Sequence, residues 1–217
     1  MKKINGNFYI GAGFFVTFIL FTILVKLVDV QAIGPLGSEV GFAGLNELFL
    51  KTNANSCWDS VSDVFMILAL ISALCFAVVG VVQLIKRKSL KKVDKNLFVL
   101  LGLYLLVVAV YVFFELVVVN YRPILEDSKL VASYPSSHVL ISVVFIIAAT
   151  IQLHKYLKNR KNLLVIDVLT SVFVVLLVCS RMLSGVHWIT DIIAALLVSS
   201  ALLFTYNGVL NQFIKVK

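Results

Sequence analysis

Ser180–Asp191 reads SRMLSGVHWITD and joins two runs of almost pure hydrocarbon, Leu163–Cys179 before it and Ile189–Tyr206 after it. Both runs have the length of a membrane span, so Arg181, His187 and Asp191 would stand at the edge of a bilayer. Charge at that depth is costly and normally faces partners, water or a ligand. His187 and Asp191 are four apart. If a helix begins near His187, both lie on one face and the carboxylate reaches an imidazole N–H. Such a pair suits an activated nucleophile. Arg181, one loop earlier, is a fixed positive charge suited to an anion with several oxygens. Taken alone, a His–Asp pair at this spacing also serves as a simple helix-stabilising pair.

Working outward, apolar blocks of similar length recur. They run over Phe8–Val28, Val61–Ile85, Leu97–Val119 and His138–Leu153, in addition to the two above. The chain of 217 residues is 61% hydrophobic, with mean hydropathy +1.04. Soluble domains are about 45–50% apolar, and about twenty apolar residues cross a bilayer as a helix. The expected fold is therefore all-α: a polytopic membrane protein with six transmembrane helices, formed by residues 1–217 as one integral membrane domain. The first run follows Lys2 and Lys3 like a signal peptide, but exceeds the usual apolar region of about 7–15 residues, so it reads as a retained span. Between the first two runs, Gly34, Pro35 and Gly37 make a turn. Val40–Leu50 then has apolar residues at roughly helical spacing, fitting a short surface helix or an ordinary loop.

Charge sets the expected orientation. Lys2, Lys3, the six basic residues of Lys86–Lys95, the four of Lys155–Lys161, and Lys215 and Lys217 make up fourteen of the 19 Lys and Arg. By the positive-inside rule these segments and both termini face the cytoplasm. Asn120–Ser137 and Ser180–Trp188 then face outward. The net charge of +8 is thus a topology signal and does not point to nucleic acid. Cys57, Cys75 and Cys179 form neither a disulfide framework nor a metal spacing, and read as small packing residues.

The outward segment before the fourth run holds Arg122-Pro123 and then Tyr134-Pro135-Ser136-Ser137-His138. Pro135 ends any helix before it and permits one after it. Ser136 or Ser137 can cap that helix, whose free N–H groups would form an anion site beside His138. The two outward segments together offer two guanidiniums, a helix N-terminus, two imidazoles and an orienting carboxylate. That set suits phosphate, one histidine attacking phosphorus and the other protonating the leaving oxygen. A metal is a poor fit, because adjacent arginines oppose a cation.

These residues, in this order, resemble the type-2 phosphatidic acid phosphatase superfamily, which includes bacterial lipid-phosphate phosphatases and vanadium haloperoxidases. The third family motif is complete as Ser180-Arg181, His187 and Asp191. The second stands as Pro135-Ser136-Ser137-His138, with Ser137 in place of glycine. The first keeps Arg122-Pro123 but has Glu115 where the family has lysine. The resemblance implies a membrane phosphatase that uses no metal or other cofactor and acts on a lipid phosphate. It implies His187 as a nucleophile forming a phosphohistidine, Asp191 orienting it, and His138 as general acid. Arg122, Arg181 and the N–H groups around Ser136 and Ser137 would hold the phosphoryl oxygens. The site would lie on the extracytoplasmic side of a cell membrane, as in bacterial plasma-membrane members. Glu115 is expected to pair with Arg122, Arg181 or Lys129 and to position it, with Lys129 as a substitute charge. Two alternatives remain open at this point: a phosphotransferase using the same chemistry, and a non-catalytic protein that binds or transports a phospholipid. The identity of the lipid and the oligomeric state are not written in the sequence.

Overall fold

The computed structural model describes residues 4–53, 55 and 57–213. Lys2, Lys3, Lys215 and Lys217, the terminal part of the charge pattern, lie outside these residues. Among the described residues there are seven α-helices: α1 Gly6–Leu27, α2 Ala43–Asn53, α3 Cys57–Arg87, α4 Lys95–Leu116, α5 Ser137–Tyr156, α6 Arg160–Leu183 and α7 Ile189–Phe213. All but α2 are long and apolar enough to span a membrane. They match the six expected runs to within a few residues at most ends, and the fold is all-helical.

The helices are arranged by polarity. α5 and α7 have 56% of their most apolar window buried, against 11–22% for the other four. They are also the two least apolar spans. Lipid accepts only hydrocarbon on a helix surface, whereas the interior of a bundle can satisfy Gln152 and Thr190. Small residues allow close approach: Ala148 and Ala149 on α5, and Ala194, Ala195, Ala201 and Gly208 on α7, are buried. α1 lies along α7, and a Cβ on Gly11 would stand 2.6 Å from Thr205 Oγ1. Cys57, Cys75 and Cys179 are exposed and free, so they are not packing residues as expected.

One end of the bundle carries the basic connections. Here a polar network ties four helices together. Asn96 Nδ2 donates to Gln152 Oε1 at 2.6 Å, Gln152 bonds Tyr206, and Asp94 accepts from Gln83 at 2.8 Å and Arg87 at 2.7 Å. The opposite end carries the Ser180–Asp191 loop. α3, at 31 residues, is about 46 Å long, well beyond the roughly 30 Å of hydrocarbon. Its N-terminal turns continue past Val61 to Cys57, so Asp59 and Asp63 sit on a helix at this end.

The short helix α2 exists, and it does more than cover a surface. Buried Asn46 donates to Gly41 O at 2.8 Å and Thr190 Oγ1 at 3.1 Å, fastening α2 to the start of α7. Asn120–Ser136 folds back as a short hairpin: Arg122 N bonds Val131 O and Ser133 N bonds Asn120 O. Asp127 and Ser128 take left-handed conformations at its tip. Tyr134, preceding Pro135 through a cis bond, is buried; its hydroxyl meets Thr22 Oγ1 at 2.6 Å, and its ring stacks on Phe18 of α1.

Candidate active site

Three segments meet at this end: the α6–α7 loop, the hairpin leading into α5, and the first turns of α3. α7 begins at Ile189, two residues later than a helix starting at His187 would require. Asp191 is therefore in the first turn and His187 just outside it. Their closest atoms, Nδ1 and Oδ2, are 3.5 Å apart, and both side chains are buried. The hydrogen bonds run through a third residue. Ser133 Oγ lies 3.0 Å from His187 Nδ1 and bonds Asp191 Oδ2. Asp191 also accepts from Trp188 N at 3.0 Å and Asn120 Nδ2 at 3.2 Å. The directions follow from chemistry. An ionised carboxylate only accepts, so Ser133 donates to Asp191 and accepts from the Nδ1–H of His187. That tautomer leaves Nε2 with a free lone pair. Burial, with Arg181, Arg122 and His138 nearby, holds the His187 imidazole well below its ordinary range. It is neutral and available as a nucleophile at neutral pH.

Arg181 is buried at the end of α6, its Nη1 bonded to Asp59 and, at 2.8 Å, to Ser62 Oγ. Arg122 leaves the hairpin with its Nη1 bonded to Glu126. In both arginines the Nε is buried without a protein partner. Nε and Nη2 form the edge that grips a phosphoryl group as a fork. Ser136 occupies the N-cap position of α5 but makes no side-chain cap, contrary to expectation. Its backbone N bonds Asp191 O at 3.1 Å, which pins the start of α5 to α7, and its hydroxyl is buried and unpartnered. Ser137 is the first residue of α5, so its N–H is among those the helix leaves free. His138 Nε2 lies 2.9 Å from Asp63 Oδ1, while its Nδ1 is buried without a partner.

Five buried polar atoms without a protein partner thus belong to one set of residues: His187 Nε2, His138 Nδ1, Arg122 Nε, Arg181 Nε and Ser136 Oγ. Buried polar groups are nearly always bonded, so a cluster of exceptions needs a cause. Four are donors or potential donors and one is a lone pair. A tetrahedral anion with an electrophilic centre satisfies all of them.

Glu115 does not take part as expected. α4 ends at Leu116, so the helix does not carry on to Arg122. Glu115 is exposed beside Tyr111, while Arg122 pairs with Glu126 and Arg181 with Asp59. Lys129 is exposed near the hairpin tip, opposite Glu126. Among the described residues, neither Glu115 nor Lys129 is a partner of Arg122 or Arg181, whose ion pairs here are with Glu126 and Asp59.

The sequence left Ser133, Asn120, Asp59 and Asp63 unassigned. Asp59 and Asp63 did carry a signal: two carboxylates one turn apart at the head of an apolar helix are too costly there without partners. Ser133 and Asn120 carried none, since only the hairpin register places them on Asp191.

No curated protein sequence matches this chain. Among solved structures, the crystal structure of the first transmembrane PAP2-type phosphatidylglycerolphosphate phosphatase from Bacillus subtilis is similar in fold. Its TM-score is 0.72 at 16% identity, covering 96% of this chain and 100% of that one. Residues 117–214, which hold the hairpin and helices α5, α6 and α7, match the model of the PAP2 superfamily.

Proposed function

We propose that this protein is a membrane lipid-phosphate phosphatase that works through a phosphohistidine on His187. The observation that supports it most is the set of five orphaned polar atoms, because each has one task in phosphoryl transfer. His187 Nε2 attacks phosphorus as the bond to the lipid oxygen breaks. His138 gives its Nδ1 proton to that oxygen, which leaves as an alcohol or, from a diphosphate, as a phosphate. Arg122, Arg181, Ser136 and the free N–H groups at Ser137 hold the non-bridging oxygens as charge moves onto them. In the second step water attacks the phosphohistidine, His138 takes its proton, and phosphate is released. Asp191 and Ser133 hold the reacting tautomer throughout. The site lies at the ends of membrane-spanning helices, where a substrate with a buried tail and a surface phosphate presents itself.

Purified protein in detergent micelles tests this. Phosphate release is expected from at least one of phosphatidic acid, phosphatidylglycerophosphate and a polyprenyl diphosphate. The second belongs in the panel because the similar Bacillus subtilis protein is described as acting on it. Transfer to an added acceptor without phosphate release would make the protein a transferase instead. Binding without either reaction would make it a phospholipid-binding protein.

The basic connections support a site on the side away from the cytoplasm. With Cys57, Cys75 and Cys179 removed, a membrane-impermeant thiol reagent added to intact cells should label Ser128→Cys at the hairpin tip and miss Lys92→Cys. The reverse pattern would place the site inside.

A further inference from the structure

We infer that Asp63 positions His138 as the proton donor, so that the site contains two histidine–carboxylate pairs that use opposite ring nitrogens. This rests on the phosphatase reading above and adds a residue from α3, outside the segment that the family model matches.

Asp63 Oδ1 lies 2.9 Å from His138 Nε2. A carboxylate accepts and cannot donate, so Nε2 carries the hydrogen. The other nitrogen, Nδ1, is buried and lacks a protein partner, and its ring lies near enough to His187, Arg181 and Arg122 to interact electrostatically with them. Nδ1 is therefore the nitrogen that faces the phosphate. His187 is arranged the other way, held at Nδ1 and free at Nε2. The difference has a cause. His187 must be a neutral nucleophile, and its surroundings are cationic. His138 must be protonated to act as an acid, yet it sits among the same arginines, which oppose a second positive charge. Asp63 is the carboxylate that offsets them. It also fixes the ring, since an imidazole on the first turn of a helix is free to rotate about its side-chain bonds.

Asp59 and Asp63 divide the work. They are four apart on one face of α3. Asp59 engages Arg181, and Asp63 engages His138. Because Asp63 is 55% exposed and its partner 19%, the contact is at the mouth of the site and not in the core. Its loss should leave the bundle intact.

The chemistry gives a readout that a merely structural residue would not move. Protonation matters when the leaving oxygen is a poor leaving group, and matters little when it departs as a stabilised anion. The test uses two phosphomonoesters with the same alkyl chain, one releasing an alcohol and the other a nitrophenolate, and compares kcat/KM. Asp63→Asn should lower kcat/KM by about tenfold or more for the alkyl ester and by less than about twofold for the nitrophenyl ester. Asp63→Glu should recover part of the loss. His138→Ala should show the same split more strongly, and adding Asp63→Asn to it should change nothing further. Thermal unfolding of the Asn variant should match wild type. An equal loss on both esters, or additive losses in the double variant, would overturn the role of Asp63. If His138→Ala itself shows no dependence on the leaving group, the acid assignment falls and Asp63 with it. If the wild type releases no phosphate from either ester, the phosphatase reading fails and takes this inference down too.

Discussion

His187→Ala is expected to lower turnover of the best lipid phosphate by at least about ten-thousandfold, with the protein still folded. Removing the nucleophile of a covalent mechanism removes the only route through the intermediate, and comparable nucleophile and base deletions cost about 10⁴–10⁶ in kcat. What remains comes from the arginines and helix N-terminus, which can still bind phosphate. The variant should therefore keep measurable affinity for substrate. Wild-type protein quenched during turnover of phosphorus-labelled lipid should carry an acid-labile, base-stable label, and His187→Ala none. Vanadate should inhibit the wild type, because it adopts the five-coordinate geometry of the transferring phosphoryl group. Retention of more than a few per cent of activity in His187→Ala would mean that water attacks directly, and that the free Nε2 has another purpose.

Much of this was legible in the sequence, and the division between what was and what was not has a physical basis. The bilayer imposes a length and a polarity on each span, so six helices could be read from hydrocarbon runs alone. Arg122, His138, Arg181, His187 and Asp191 stood out because ionisable groups at the ends of such runs are expensive. The connections were different. Glu115 was placed relative to Arg122 by continuing a helix that in fact stops at Leu116. Ser133 and Asn120 reach Asp191 only because Arg122 N pairs with Val131 O and Ser133 N with Asn120 O, and no local pattern announces that register. Asp59 was missed because, beside Trp58, it looked like part of the polar segment before the span, and Asp63 because it lay unassigned inside the run that begins at Val61. In the structure they are the protruding turns of a helix longer than the membrane is thick.

The correction to Glu115 changes how the positive charge of the site is balanced. A lysine at this position would sit at the exposed end of α4. The two ion pairs, Arg122 with Glu126 and Arg181 with Asp59, each engage Nη1 and leave the buried Nε without a protein partner. The carboxylates therefore orient the arginines without cancelling their use.

Asp191→Asn is the second large effect, and its comparison with Ser133→Ala decides how His187 is held. Asp191 is buried and accepts three hydrogen bonds, from Asn120, Ser133 and Trp188. An asparagine amide supplies one oxygen and one N–H₂ group. If the nitrogen faces Asn120, that residue can flip its own amide and the network closes with its charge lost. If the nitrogen faces Ser133 and Trp188, the Trp188 N–H is left unpaired, and Ser133 turns to donate to His187 Nδ1. That imposes the wrong tautomer and protonates the nucleophile. In either case the phosphohistidine forms without the negative charge that stabilises it, so a loss of about 10²–10⁴ in kcat is expected. Ser133→Ala removes the bridge but keeps the charge. Asp191 Oδ2, only 3.5 Å from Nδ1, can close the gap, so the loss should be smaller, about ten- to a hundredfold. Adding Ser133→Ala to Asp191→Asn should then cost little more, because both act on the same ring. A Ser133→Ala enzyme as active as wild type would show that His187 bonds Asp191 directly during turnover. A loss as large as that of Asp191→Asn would mean that the hydroxyl, and not the carboxylate, sets the tautomer.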